Sequence, residues 1–168
     1  FNDLIYRRAL SKEPLAYLLS KKEFWSIELG INKDALIPRP ETEILVDKLV
    51  KYYNDRSPFI LDIGTGSGCI IISLLHEFKK SRGIAIDISN KALKIAKKNS
   101  KLNDTFDRIK FVNSSISNFN SFKFDLIVSN PPYIASHQLK NLDEDVKNFE
   151  PKIALDGGND GLDVIRKV

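Results

Sequence analysis

The run Asn130, Pro131, Pro132 and Tyr133 has the most specific chemical meaning in this sequence. Each proline has a fixed φ and restricts the preceding residue to extended conformations. The side-chain oxygen of Asn130 and the backbone carbonyl of Pro131 can therefore be held together as a pair of hydrogen-bond acceptors. Such a pair suits an NH2 group, and the ring of Tyr133 can stack on the planar group that carries it. Alternatively, the prolines only end a strand and Tyr133 belongs to the core.

A second group of residues is typical of a site for a small cofactor. The segment 62–68, Asp-Ile-Gly-Thr-Gly-Ser-Gly, follows an apolar run and leads into a helical pattern, where glycines let a ligand approach the backbone closely. Asp87 ends the next apolar run, about 20 residues after the loop, where a carboxylate can accept the hydroxyl protons of a ribose. A dinucleotide and S-adenosylmethionine both fit these features. The alternatives are a turn without a ligand and a helix N-cap at Asp87.

The glycine spacing favours S-adenosylmethionine. Gly64, Gly66 and Gly68 leave no glycine at the sixth position of the G-x-G-x-x-G dinucleotide fingerprint. Asp62, just before the loop, suits the cationic ammonium group of the methionine part better than a pyrophosphate, although it could equally bond only the loop amides. Methyl transfer to an amide nitrogen would depend on positioning and electrostatics and not on a titrating base, because the nitrogen lone pair is delocalised.

Alternating strand and helix patterns must position these residues. Helical periodicity covers residues 69–80 and 90–102, between short apolar runs that we predict as buried strands. Such alternation builds a mainly parallel sheet with crossover helices, so we predict an α/β fold. The four predicted strands are residues 59–63, 83–88, 109–112 and 124–129.

The first 55 residues follow a different pattern. Residues 3–10 have helical spacing, and residues 23–31 alternate partly as strands do, with turn residues at 32–34. We therefore predict a short helix followed by a β-hairpin. The prolines in residues 37–40 exclude this stretch from a helix, and we expect the next helix to begin just after it and to end near Val50.

Composition limits the remaining possibilities. Of the 168 residues, 42% are hydrophobic and 29% are charged, as in a soluble globular domain. No apolar run reaches the roughly 18 residues of a membrane helix and no signal sequence opens the chain, so we expect a cytoplasmic protein that contacts no membrane. Cys69, His76 and His137 form no zinc spacing, so no metal is expected. The net charge of +4 permits an anionic partner without requiring one. Because the chain lacks methionine and ends within a helical pattern, we expect part of a longer protein.

Taken together, these motifs resemble a known family. Residues 61–68 with Asn-Pro-Pro-Tyr-Ile at 130–134 look like a class I methyltransferase that acts on amino groups. Three flanking stretches make the chain similar to the HemK/PrmC family of peptide chain release factor glutamine N5-methyltransferases. They are Glu-Pro-Leu-Ala-Tyr at 13–17, Phe-Trp at 24–25 with Leu-Ile-Pro-Arg-Pro-Glu-Thr-Glu at 36–43, and Phe-Glu-Pro at 149–151 through Asp-Gly-Gly at 156–158.

The resemblance covers nearly the whole chain and implies a fold and a domain plan. It implies a Rossmann-like class I methyltransferase with a mainly parallel sheet, preceded by a β-hairpin and by the end of an N-terminal helical domain. Residues 1–13 would be the remnant of that helical domain, and residues 14–55 a linker with the hairpin and the proline-rich entry to the core. Residues 56–168 would form the methyltransferase core, with its final strands lying beyond residue 168.

The resemblance also implies an activity and roles for individual residues. S-adenosylmethionine would methylate the glutamine of the Gly-Gly-Gln motif in class 1 peptide chain release factors, and we expect a monomer that needs no nucleic acid. Asn130, Pro131 and Tyr133 would be catalytic, and together with Pro132 they would bind the glutamine amide. The cofactor would contact Asp62, Gly64, Thr65, Gly66, Ser67, Gly68, Asp87 and Asn130.

One pair of residues departs from the family pattern. Family members often carry Asp-Trp beside the adenine, and this chain has Ser115 and Ile116. We expect Ser115 to hydrogen-bond the edge of the base and Ile116 to form an apolar wall, although both could be plain loop residues. The preference of a carboxylate for the exocyclic amine would then be missing.

Other functions fit parts of the same pattern. An adenine-N6 methyltransferase of DNA or RNA would hold the NH2 group of a flipped base with the same Asn-Pro-Pro-Tyr run, but the sequence has no dense cluster of basic and aromatic residues. A non-catalytic cofactor-binding module would not need residues 130–133 to be intact. A nicotinamide oxidoreductase is the third alternative.

Overall fold

A computed structural model of the chain describes residues 2–54, 56–119 and 123–168. Phe1, Asp55 and residues 120–122, which fall in the predicted domain segments, lie outside the described residues. In chain order the helices and strands are α1 (Asn2–Leu10), α2 (Leu15–Leu19), β1 (Lys21–Phe24), β2 (Ile27–Gly30), α3 (Pro40–Tyr53), β3 (Phe59–Ile63), α4 (Cys69–Glu77), β4 (Arg82–Asp87), α5 (Asn90–Leu102), β5 (Ile109–Asn113), β6 (Leu126–Ser129) and α6 (Glu144–Phe149).

Four parallel strands form the central sheet, in the order β5-β4-β3-β6. The prediction of an α/β fold with a mainly parallel sheet is therefore confirmed. The chain moves outward from β3 to β4 and β5 and then returns to the other side of β3 with β6. In the register, Ile63 at the end of β3 is paired with Ile86 on one side and with Ser129 on the other. Sheets of this type bind ligands beyond the carboxyl ends of the strands where the order reverses, which here lies between β3 and β6.

The predicted hairpin is present, but the prediction placed its turn incorrectly. Strands β1 and β2 are joined by Trp25 and Ser26, with φ of 52° and 58°. A two-residue turn of this kind needs positive φ at both positions and usually contains Asn or Gly, so the sequence carries no signal for it. The expected turn residues 32–34 follow the hairpin instead, where the Asp34 amide donates to the side-chain oxygen of Asn32.

Helix α3 begins earlier than predicted. Pro40 is its first residue, and the helix continues to Tyr53. The exclusion of Pro40 from a helix was wrong, because the first position of a helix needs no backbone N–H donor and favours the φ of proline. Helix α4 ends at Glu77, before the predicted residue 80. The short helix α2 was not predicted.

The hairpin and the sheet share one hydrophobic core. Phe24 and Leu29 of the hairpin are fully buried with Val46 of α3 and with Ile71 and Leu75 of α4. A smaller group on the opposite face of the sheet consists of Leu61, Ile63, Ile84 and Ile86. None of the helices in the described part of the chain is long and apolar enough to cross a bilayer.

A buried asparagine joins the hairpin to the glycine loop that follows β3. The side-chain oxygen of Asn99, in α5, accepts from the Gly30 amide at 2.7 Å. Its side-chain nitrogen donates to the carbonyls of Gly30 at 3.0 Å and Ser67 at 2.9 Å. Because buried polar groups require partners, this bonding fixes the distance between β2 and the loop. The sequence segment before the core is thus attached to the part of the core that carries the predicted cofactor residues.

Candidate active site

A cleft of about 680 Å³ opens beyond the carboxyl ends of β3, β4, β5 and β6. Parallel strands have their carboxyl ends at the same edge of the sheet, so the loops that follow them meet there. The structure therefore brings together residues that are far apart in the sequence. The predicted site residues that line this cleft are Gly64, Gly66, Asp87, Ser115, Ile116, Asn130 and Pro132.

The glycine loop presents open backbone to this cleft. Gly64 and Gly66 have φ of +70° and +57°, a region that residues with a Cβ rarely adopt. A Cβ on Gly64 would meet no atom within 4 Å, so the backbone here faces free space. Glycine is needed at position 68 for a different reason. A Cβ on Gly68 would lie 2.8 Å from Ile72 of α4 and 3.2 Å from Ala96 of α5. The first two glycines thus allow a ligand to approach, and Gly68 allows two helices to pack.

Asp62, Thr65 and Ser67 lie behind the glycine loop. All three are buried, and none lines the cleft. One carboxylate oxygen of Asp62 accepts from the Thr65 hydroxyl at 2.7 Å, and the other has no hydrogen-bond partner among the described residues. Burial, together with the nearby charge of Asp87, raises the pKa of Asp62 to about 7. The direct contact of these residues with a cofactor stays a prediction.

Asp87 stands at the end of β4 with both carboxylate oxygens oriented by backbone donors. The Gly66 amide donates to one oxygen at 2.9 Å and the Ser89 amide to the other at 2.8 Å. Burial raises the pKa of Asp87, and these amides oppose the shift. The N-cap of α5 is Ser89, whose hydroxyl accepts from the Ala92 amide at 3.2 Å. Asp87 is therefore not occupied as a cap, and it lines the cleft.

Ser115 and Ile116 follow β5 and form the edge of the cleft beside Asp87. Both are partly buried. Ile88, which follows Asp87, lines the same part of the cleft although its side chain is 56% exposed. Ile88 was not identified from the sequence as a site residue, because it was read as the last residue of the predicted strand 83–88.

The acceptor loop, residues 129–133, begins at the last residue of β6. The Ser129 hydroxyl donates to the carbonyl of Ile63 at 2.8 Å, which ties this loop to the end of β3. The side-chain nitrogen of Asn130 donates to the Thr42 hydroxyl at 3.4 Å. Tyr133 is 65% exposed, so it does not belong to the core. The ring is therefore available to a partner from outside.

A second cavity lies on the other side of Asn130. This α3 recess has a volume of about 330 Å³ and is lined by Arg39, Glu41, Thr42, Leu45, Ser129, Asn130 and Tyr133. Asn130 is the residue of the acceptor loop that lines both the cleft and the recess. The two cavities therefore share Asn130 in their linings. Thr42 was not identified from the sequence as a site residue, because it stood only within the family-like stretch 36–43, near the expected start of a helix.

The loop 156–161 supports the acceptor loop from behind. The Gly157 amide donates to the carbonyl of Ile134 at 2.8 Å. A Cβ on Gly161 would lie 2.4 Å from the carbonyl oxygen of Tyr133, and one on Gly157 would lie 2.8 Å from that of Pro132. The two backbones approach more closely than any residue with a side chain would permit. Gly161, which was also missed, could be suspected only from its spacing to the preceding pair of glycines.

This geometry coincides with a match to a known family. Residues 40–147 match the model of the family described as the methyltransferase small domain. The chain belongs to this methyltransferase family. The matched part of the methyltransferase domain contains the glycine loop, Asp87 and the whole acceptor loop. In the described part of the chain, no group of three or more His, Cys, Asp or Glu residues is arranged to hold a metal ion.

Two relatives match nearly the whole length of the chain. A release factor glutamine methyltransferase of Caulobacter vibrioides is 40% identical, covering 99% of the chain and 58% of that protein. A bifunctional methyltransferase of Rickettsia bellii is also 40% identical, covering 94% of the chain and 34% of that protein. The chain thus spans about half the length, or less, of the curated relatives it matches.

A solved structure confirms the fold of the methyltransferase domain. The catalytic domain of hMettl16, solved in complex with the MAT2A 3′UTR hairpin 6, superposes with a TM-score of 0.70. The match covers 92% of the chain and 59% of that structure, at 20% sequence identity. At this identity the similarity concerns the fold alone. The predicted Rossmann-like class I methyltransferase architecture is confirmed.

Proposed function

We propose that this chain is the catalytic core of an enzyme that methylates the glutamine of the Gly-Gly-Gln motif in class 1 peptide chain release factors, with S-adenosylmethionine as the donor. The observation that carries the proposal is the position of Asn130 between the cleft and the α3 recess. An amide held at Asn130 from the recess would meet a methyl donor in the cleft. The name of the Caulobacter vibrioides relative, a release factor glutamine methyltransferase, supports this choice of substrate.

The residues around the cleft fit S-adenosylmethionine. The open backbone at Gly64 and Gly66 leaves room for the methionine part, and the oriented carboxylate of Asp87 suits the ribose hydroxyls. Ser115 and Ile116 would border the adenine. Asp62, Thr65, Ser67 and Gly68 would shape the loop from behind, and Asp62 in its ionised form would favour the cationic ammonium group. When bound, this cofactor supplies a methyl group on a positively charged sulfur.

The acceptor loop would perform the part of the reaction that the protein controls. The side-chain oxygen of Asn130 and the carbonyl of Pro131 would accept the two N–H groups of the glutamine amide, while Tyr133 stacks on its plane and Pro132 stiffens the loop. Holding the nitrogen in line with the methyl group removes the entropic cost of alignment. As the bond from the nitrogen to the methyl group formed and the bond from that group to sulfur broke, these two oxygens would stabilise the partial positive charge on the nitrogen, and one proton would leave to water.

The whole protein is longer in the relatives, so its wider properties are part of the proposal. We propose that residues 1–13 belong to an N-terminal helical domain, residues 14–55 to the linker with the hairpin, and residues 56–168 to the core. Release factors act on ribosomes, so an enzyme that modifies them would be cytoplasmic. A single chain has all of the proposed site residues, which supports a monomer, and recognition of a protein substrate requires no nucleic acid.

Mass spectrometry of a class 1 release factor, incubated with the protein and S-adenosylmethionine, tests this proposal. We expect a gain of one methyl group on the glutamine of Gly-Gly-Gln and none on a release factor with Gln→Ala at that position. Duplex DNA and structured RNA are assayed in parallel with labelled cofactor. Label on a nucleic acid without label on the release factor would favour an adenine-N6 methyltransferase and would refute our proposal.

A further inference from the structure

Thr42 lies where the first turn of α3 meets the acceptor loop. Its hydroxyl oxygen accepts a hydrogen bond from the side-chain nitrogen of Asn130 at 3.4 Å. Thr42 is half-buried and lines the α3 recess beside Asn130. Within the described part of the chain, this is the one hydrogen bond that the side chain of Asn130 makes. The carboxamide oxygen is consequently left for a ligand.

The two ends of a carboxamide have opposite properties, because the oxygen accepts hydrogen bonds and the nitrogen donates them. An acceptor amide presents N–H donors to the site. Only the oxygen end of Asn130 can bind these donors, and a carboxamide turned by 180° would place donor against donor. The neighbouring prolines restrict the backbone of Asn130, but they do not determine which end of its side chain faces the cleft. The Thr42 hydroxyl could accept from the nitrogen or donate to the oxygen, and in this structure it accepts from the nitrogen.

We propose that Thr42 is a positioning residue that holds the nitrogen end of the Asn130 carboxamide and so directs its oxygen toward the acceptor nitrogen. This inference rests on the proposed function only in requiring an acceptor that bears N–H groups. The start of α3 is itself fixed, because its N-cap residue Arg39 donates to the buried carboxylate of Glu150 at 2.5 Å. Thr42 therefore offers its hydroxyl from a rigid position.

Substitution of the hydroxyl alone tests the role. Thr42→Val removes the hydroxyl and keeps the shape of the side chain, whereas Thr42→Ser keeps the hydroxyl. We expect Thr42→Val to lower kcat about fivefold, the effect of one neutral hydrogen bond, with an unchanged Kd for S-adenosylmethionine. Thr42→Ser should retain a kcat close to that of the unsubstituted protein. An unchanged kcat in Thr42→Val, or a loss that serine does not restore, would overturn the assignment.

A matched control separates positioning from a general loss of stability. Thr105 is buried, its hydroxyl donates to the Ser100 carbonyl at 3.3 Å, and it lines neither the cleft nor the recess. Thr105→Val makes the same chemical change at this distant position. It should lower the Tm and leave kcat unchanged. If both valine variants lowered kcat equally, the effect of Thr42 would be one of stability and the inference would fail.

A double-mutant cycle with Asn130→Asp distinguishes orientation from direct contact with the substrate. A carboxylate has two equivalent oxygens, so it needs no group to select one end. In this background Thr42→Val should change the single-turnover rate less than about twofold. An equal loss in both backgrounds, or a change confined to the KM for the acceptor, would mean that Thr42 touches the substrate and would overturn our assignment.

The failure of this inference is distinguishable from that of the proposed function. If the unsubstituted protein methylates a nucleic acid and not a release factor, the proposed substrate is wrong. The Thr42 variants are then compared on that substrate, because an exocyclic NH2 group also needs the side-chain oxygen of Asn130 as its hydrogen-bond acceptor. If the release factor is methylated and Thr42→Val has the same kcat as Thr42→Ser and the unsubstituted protein, only the role of Thr42 is refuted.

Discussion

Arg39 and Glu150 form a charge pair between two segments that lie 111 positions apart, with the guanidinium donating to the carboxylate at 2.5 Å. Glu150 also accepts from the Ile37 amide at 3.2 Å. The pair therefore joins the proline segment before α3 to the segment around Pro151, which lines the cleft. The carboxylate side chain is 1% exposed, whereas that of Arg39 is 35% exposed. Loss of Arg39 and loss of Glu150 should therefore change the free energy of unfolding by different amounts.

Removal of the cation should cost more stability than removal of the anion. Arg39→Leu leaves a buried carboxylate with only a backbone donor, and we expect a loss of about 3 kcal/mol in the free energy of unfolding. Glu150→Gln leaves a guanidinium that can turn toward water, and we expect about 1 to 2 kcal/mol. Urea unfolding of both variants and of the double variant measures the asymmetry. Equal losses would mean that burial of the carboxylate is not the dominant cost.

Asp87 should determine cofactor affinity. Asp87→Asn removes the charge and turns a donor nitrogen toward one of the two backbone amides, from Gly66 and Ser89, that the carboxylate now accepts. We expect the Kd for S-adenosylmethionine to rise at least about tenfold, which corresponds to ~1.4 kcal/mol. Isothermal titration calorimetry measures it. Asp47→Asn is the control, because Asp47 makes an exposed pair with Lys51, and unchanged affinity in both variants would remove Asp87 from the site.

Alanine substitutions at Gly66 and Gly161 should have different effects, because Gly66 lies at the cleft and Gly161 packs against the acceptor loop. Gly161→Ala would place a Cβ 2.4 Å from the Tyr133 carbonyl, so we expect methyl transfer to fall at least tenfold, by about 1.4 kcal/mol, while cofactor binding persists. Gly66→Ala adds a methyl group to the open cleft and should chiefly weaken cofactor binding. Steady-state kinetics and calorimetry on both variants make the comparison. The opposite pattern, or the same pattern in both, would contradict the support of Tyr133 by the loop 156–161.

The buried carboxyl of Asp62 should make stability depend on pH. Its pKa is raised to about 7 by burial, so the folded state holds a proton that the unfolded state releases near pH 4. The contribution of this group is fully present below about pH 4 and is lost as the pH rises to about 7. Asp62→Asn should keep the bond from the Thr65 hydroxyl and remove this dependence. Urea unfolding between pH 4 and pH 8 should show the variant gaining relative stability with rising pH, and a constant difference would contradict the buried protonated carboxyl.

Much of the core was predictable from local patterns. The strand β3 and the helix α5 have the predicted limits because apolar runs and helical periodicity report burial directly. The turn at Trp25 and Ser26 was not predictable, since neither residue favours positive φ. Their conformation is held from outside the hairpin, where the Trp25 amide donates to Glu43 at 3.1 Å and its indole to Glu77 at 2.8 Å.

The residues of the candidate site also differ in whether the sequence alone could identify them. Asn130, Asp87 and the glycine loop were selected from the sequence because their chemistry is tied to strand ends, and the family match includes all of them. Thr42, Arg39 and Glu150 lie in stretches that were quoted only for the family resemblance, and Gly161 was not identified at all. Their roles depend on contacts with residues far along the chain.

The amino-acid sequence by itself determined the class of fold, the order of elements from β3 to β6 along the chain, and the residue types that can hold an amide and a nucleoside. These properties follow from local periodicity and from the conformational limits of proline and glycine. Only the tertiary structure decided that Asp62 lies behind the loop, that Asn130 separates two cavities and that Thr42 reaches its nitrogen. The physical reason is that burial and hydrogen-bond partners arise between segments, and no single segment encodes the surroundings that another one supplies.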